Sequence, residues 1–199
     1  MDVEADADRN ETLTTSPRDL AELCQQVRAG YRPKLLLFWG HQPSRDGSVG
    51  PECFSQWFAA RFELDGVRFP SAEHYMMWEK ARLFDDKPAA AQILAASNPA
   101  VAKKLGRSVR HFDVGVWAAQ RFDIVVRASV AKFTQNAAFR AYLLSTNDRV
   151  LVEASPFDRI WGIGLAATDQ RAQNPLLWNG LNLLGFALMH ARAQLASAG

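Results

Sequence analysis

Leu20, Leu23, Cys24 and Val27 recur three or four positions apart, the spacing of one buried helix face. Ser16-Pro17 precedes them, so a helix is predicted with Ser16 as N-cap, Pro17 at its first position and Gly30 at its end. The period then collapses. Leu35 to Trp39 is an unbroken apolar run, read as a buried strand, and Gly40 to Pro51 has the Gly, Pro, Ser and Asp content of a loop. Phe62 and Leu64, then Asp65-Gly66, then Val67 and Phe69 predict a hairpin, because Asp-Gly suits a tight primed turn. Helical spacing returns after Pro70-Ser71 and runs to about Phe84. Further helices are predicted over Ala89 to Ala96, from Asn98-Pro99 to Gly106, from Phe112 to about Thr134, and from Ala137 to Leu144. Val150, Leu151 and Val152 mark a strand within Arg149 to Ala154. A last helix is predicted from near Gly180, with Leu181, Leu184, Leu188, Ala191 and Leu195 on one face. Residues 1–16 are acidic and aperiodic, the pattern of a disordered tail. Residues 17–30 read as a helical extension and 31–196 as one compact domain. The fold class is α+β, helix-dominated, with a small β component.

Composition narrows the class. Hydrophobic residues make up 48% of the 199 positions and charged residues 22%, ordinary for a chain with a proper core. The net charge of +2 is too balanced to announce a nucleic-acid binder. Asp2, Glu4, Asp6, Asp8 and Glu11 crowd the start, however, so the remainder is more basic than the total. Cys24 and Cys53 match no metal or redox spacing, which points to a reducing, cytoplasmic setting. Leu176 to Met189 is shorter than the roughly 20 residues that span a bilayer and contains Asn179 and Asn182, so no membrane association is expected. His41, His74, His111 and His190 have no ligand spacing, and neither a metal nor a cofactor is expected. Gly162-Ile163-Gly164-Leu165-Ala166-Ala167 imitates a dinucleotide fingerprint, but the strand before it and the acid about 20 positions on are missing.

Three clusters carry candidate chemistry. Ser71 reads as an N-cap, which puts Glu73 in the first turn of its helix, where a carboxylate complements the dipole. Lys80 stands seven residues on, about two turns at ~3.6 residues each, so it shares a face with Glu73 and the inward-facing Met76, Met77 and Phe84. Charges on an apolar face either pair or serve a site. Arg107 follows a helix carrying Lys103 and Lys104, where it can balance a dipole or hold a phosphate. Asp158 and Trp161 occupy a turn after a predicted strand, with Gly162 beside them, either as a packed Asp turn or as part of a site. Among six tryptophans, Trp117 and Trp161 are the candidates to stack on a flat heterocycle.

In order along the chain, these segments resemble the NADAR (NAD- and ADP-ribose-associated) superfamily, and within it the YbiA-like N-glycosidases. The matching stretches are Phe69 to Tyr75 with Lys80, Leu105-Gly106-Arg107, Trp117, Val126 to Asn136, Leu143 to Thr146, Leu151 to Ser155, Asp158 to Gly164 and Asn179 to Gly185 with Leu188, Met189 and Arg192. One departure is Cys53-Phe54-Ser55-Gln56-Trp57-Phe58, where the family often has Phe-Ser-Asn-Phe; Gln56 stands in the Asn position. The resemblance implies hydrolysis of a ribose–nitrogen bond next to a phosphate, in riboflavin-pathway ribosylamino-pyrimidines or in ADP-ribosylated guanine of nucleic acid. A non-catalytic module that binds ADP-ribose is the third expectation. It implies Glu73, Lys80 and Asp158 as catalytic groups, with Lys80 a potential Schiff-base amine. Arg107 is implied for the phosphate, Trp117 and Trp161 for the base, Gly162 as a further substrate-binding residue, and His74 and Tyr75 as motif residues that orient or pack. The expected partner is a small phosphorylated ribosyl compound.

Overall fold

The computed structural model describes residues 17–198; the acidic tail predicted over 1–16 lies outside them. Among the described residues, two short sheets are set among seven α-helices. Strand β1 (Leu35–Phe38) pairs in parallel with β4 (Val150–Glu153), so that Phe38 lies opposite Glu153. The chain between them supplies the crossover that parallel pairing demands. It holds the hairpin of β2 (Phe62–Leu64) and β3 (Val67–Phe69) and helices α2 (Ala72–Leu83), α3 (Lys87–Leu94), α4 (Pro99–Arg107), α5 (Val114–Gln135) and α6 (Ala137–Ser145). Helix α1 (Leu20–Arg28) precedes the sheet and α7 (Leu183–Ser197) closes the domain.

Local chemistry sets most of these elements. Asp65 and Gly66 both take positive φ, as the primed turn requires, and β2 and β3 pair antiparallel around them. Ser71, Asp86, Asn98 and Asp113 each accept a backbone N–H of the helix they precede. Tyr75 and Trp78 of α2 pack on Phe69 of the hairpin at 5.1 and 5.2 Å between ring centroids. A second aromatic cluster joins Phe54 to Phe38, Phe133 and Tyr142. The fully buried Lys132 of α5 donates to the carbonyls of Cys53 and Ser55 at 2.6 and 2.9 Å, tying the segment before Gln56 and Trp57 to the long helix.

Several boundaries differ from the sequence reading. Helix α1 starts at Leu20, with Asp19 as its cap, not at Pro17, because Asp19 supplies the acceptor for Glu22 N–H. Its Leu23 is fully buried and the Cys24 thiol faces the Pro175 carbonyl, so the extension packs onto the domain. Trp39 falls outside β1 and is 60% exposed, and most of that strand is only half-buried. Helix α3 begins at Lys87 and α5 at Val114, each at its aspartate cap.

The largest correction is α7, which starts at Leu183; Leu181 lies before it and is exposed. Backbone N–H groups of Asn179, Leu181, Asn182, Leu183 and Leu184 donate to the carbonyls of Ile163, Arg159, Gly162, Ile160 and Trp161. This lacing commits residues 179–182 to another segment. Asn182, with φ of +54°, turns the chain into the helix. Gly180 is required in the crossing, since a Cβ there would meet the Gly162 carbonyl oxygen and, at 2.7 Å, the Arg159 Cα.

Candidate active site

Glu73 near the start of α2 and Glu153 at the end of β4 are close enough to act on each other electrostatically. Ser71 ends an extended stretch and caps α2, so Glu73 falls in the first turn, and its N–H donates to the Gln56 carbonyl at 2.9 Å. The Glu73 side chain is buried, and Oε1 has no hydrogen-bond partner. Burial pushes its carboxyl up to about 7; the negative charge of Asp158 adds to the rise, while Lys103, the Trp57 indole and Arg107 oppose it.

Glu153, the last residue of β4, lies in the same electrostatic neighbourhood. Its N–H is held by Asn182 Oδ1 at 2.9 Å, and its carbonyl accepts from Ile163 N–H at 2.9 Å. Its carboxyl oxygen Oε2 is also buried without a partner. Burial, then Asp158 and Glu73, push this carboxyl up to about 8, against the pull of Lys103. Asp158 hangs from the turn that follows, where its Oδ1 accepts the N–H groups of Ile160 and Trp161, both at 2.8 Å. Gly162 allows that turn to fold back, because a Cβ there would stand 2.8 Å from the Glu153 carbonyl oxygen.

Lys103 and Arg107, one turn apart on α4, supply the positive charge that Glu73 feels. The Lys103 ammonium also stands 5.6 Å from the Trp57 ring, and His41 packs on the same indole. Glu73, Glu153, Asp158, Lys103, Arg107 and Trp57 thus form one constellation.

Lys80 is placed differently. It shares α2 with Glu73, but no ion pair joins the two among the described residues. Its ammonium donates to the Gly106 carbonyl at 2.8 Å and sits 4.1 Å from the centre of the Phe112 ring and 5.7 Å from that of Trp117. Partial burial lowers its pKa. Lys80, with Trp117 beside it, is thus tied to the end of α4 that carries Arg107. Trp161 is half-buried at the Asp158 turn. His74 and Tyr75 turn inward. The His74 ring bridges Ser71 Oγ at 2.7 Å and the Ala96 carbonyl at 3.2 Å, and Tyr75 belongs to the aromatic core with Phe62, Phe69 and Trp78.

Sequence reasoning missed Trp57, Lys103 and Glu153. Each had a signal: Trp57 adjoins the departing Gln56, Lys103 is one helical turn before Arg107, and Glu153 is the acid that ends the apolar run of β4. Among the described residues no group of three His, Cys, Asp or Glu side chains is arranged to hold a metal ion, and no helix is long and apolar enough to cross a membrane.

Residues 37–196 match the NADAR domain, and the chain belongs to that family. It is 42% identical to N-glycosidase R617 of Acanthamoeba polyphaga mimivirus over 166 residues, 81% of this chain and 96% of that protein. It is 34% identical to N-glycosidase YbiA of Escherichia coli over 143 residues, 72% of this chain and 81% of that one. The NMR structure of E. coli YbiA superimposes with a TM-score of 0.66 at 28% identity, covering 88% of this chain and 92% of YbiA, and shares its helix-rich, single-domain architecture.

Proposed function

We propose that the chain is an N-glycosidase that hydrolyses the bond between ribose and nitrogen in a phosphorylated ribosylamino heterocycle, releasing ribose 5-phosphate. The aminopyrimidine intermediates of riboflavin biosynthesis are the substrates of choice. N-glycosidase is also the activity for which the viral and bacterial relatives are named. The observation that carries the reading is Glu73: a buried carboxyl with an unpartnered oxygen, raised to about 7, beside two cations.

Breaking the bond builds positive charge on C1 and the ring oxygen of the sugar. The Glu73 carboxylate stabilises that charge or takes a proton from the attacking water, and Asp158 adds a second negative charge nearby. Arg107 and Lys103 bind the phosphate with charge-assisted hydrogen bonds. Trp57, with Trp117 and Trp161 at the flanks, offers flat faces for the heterocycle. Lys80 supplies an amine of lowered pKa for a ring-opened sugar.

The test incubates the protein with the aminopyrimidine intermediates and follows ribose 5-phosphate. Release by the wild type and its loss in Glu73→Gln support the reading; full rate in that variant removes Glu73 from the mechanism. Two cations one turn apart also suit a pyrophosphate, so ADP-ribosylated guanine in nucleic acid is the second substrate to assay. Faster turnover there reassigns the substrate within the same chemistry.

A further inference from the structure

The steps above leave one carboxyl unused. We propose that Glu153 is the proton donor to the departing nitrogen, an assignment that rests on the N-glycosidase reading.

Hydrogen bonding separates the three carboxyls of the site. Asp158 Oδ1 is committed to two backbone N–H groups, which fix it as an acceptor. Glu73 and Glu153 each keep a buried oxygen without a partner. The charges of Lys103 and Arg107 both act on Glu73, whereas Lys103 alone opposes the rise of Glu153. Burial favours the protonated form of both carboxyls, and Glu153 has the smaller share of positive charge around it to draw its proton away. The charged groups that face it are Asp158 from the following turn, Lys103 from α4 and Glu73 from α2. Its backbone is fixed on both sides, by Asn182 and by Ile163, so the carboxyl is presented from a rigid strand end. The residue as a whole is half-buried, with its Oε2 oxygen held inside the protein beside Glu73 and Asp158. Two carboxyls whose environments separate their proton affinities are the arrangement that divides acid from base in glycoside hydrolysis.

The step balances without a co-reactant other than water. As the bond from C1 to nitrogen breaks, its electron pair stays on nitrogen and the Glu153 proton joins it. Water oxygen adds to C1 and gives its proton to the Glu73 carboxylate. Exchange with solvent then removes the proton from Glu73 and restores the one on Glu153. One water is consumed and no group is oxidised or reduced.

The experiment compares wild type and Glu153→Gln on two substrates with the same ribose 5-phosphate: the aminopyrimidine N-glycoside and the p-nitrophenyl glycoside, whose leaving group needs no proton. The expected result is a fall in kcat of about 100-fold or more on the N-glycoside, a change of under about fivefold on the nitrophenyl compound, and loss of the alkaline limb of the kcat profile. Retained turnover of the nitrophenyl compound also shows that the variant is folded. Equal losses on both substrates, or no loss on the N-glycoside, overturn the assignment while leaving the N-glycosidase reading intact. A wild type inactive on N-glycosides overturns both.

Discussion

Asp86 and Glu73 are both buried acids at the N-terminal ends of helices, and the fold treats them in opposite ways. Asp86 caps α3 and accepts hydrogen bonds from Ala89 N–H and from the N–H, Nε and a terminal nitrogen of Arg110. These bonds, with the guanidinium charge, hold its carboxyl well below the usual carboxylate range. Glu73 keeps an orphaned oxygen and is driven above that range by burial. A structural acid is saturated where it stands; an acid left short of partners in a site of mixed charge is available to a ligand.

The largest expected effect is on catalysis. Glu73→Gln should lower kcat about 1,000-fold, as loss of a group acting on the transition state does, with melting temperature held or raised. Ribose 5-phosphate release beside a thermal melt checks this; a loss of activity that tracks unfolding would erase the distinction from Asp86.

The pH dependence of stability should carry opposite signs at the two acids. Glu73 binds its proton more tightly folded than unfolded, so its contribution is complete below about pH 4.5 and fades as pH rises through about 7. That fall amounts to about 3 kcal/mol. Glu153 adds to the fall near pH 8. Asp86 behaves in reverse: its contribution is present above the usual carboxylate range and is lost as pH drops below it. Urea unfolding at pH 5, 7 and 9 should show Glu73→Gln removing much of the alkaline decline. An equally steep decline in the variant would mean that Glu73 does not titrate there.

A smaller effect is expected one helix away. Arg107→Ala should raise KM about tenfold for the phosphorylated substrate with kcat little changed, the mark of lost ground-state binding. A dephosphorylated ribosylamine should not register the change; an equal rise on both compounds would take the phosphate away from Arg107. Asp86→Asn should have the least effect on turnover, leaving kcat within about twofold while lowering the melting temperature, since only charge-assisted bonds are weakened.

The pattern of what the sequence disclosed follows the range of the interactions involved. Asp65-Gly66, Ser71 and Asn98-Pro99 act within a few residues, so the hairpin, the start of α2 and the start of α4 were legible. The start of α7 was not, because residues 179–182 are committed to backbone partners around 160, which no local pattern encodes. The site divides in the same way. Glu73 and Asp158 could be found from their own segments, and they do share one electrostatic neighbourhood. Spacing placed Lys80 on the face of Glu73, but a long side chain chooses its own partner, and the Gly106 carbonyl holds it. Lys103, Trp57 and Glu153 join the site from three other segments, a convergence that only the tertiary fold creates.

The lacing between residues 159–163 and 179–184 is written entirely in main-chain atoms. Such stitching is indifferent to side-chain identity except where glycine is sterically required. Phe157, 87% exposed, and Ile160, also exposed, can therefore be randomised as a combinatorial library at the rim of the Asp158 turn without rewriting the scaffold that holds it. That gives the protein a natural position for retargeting by design.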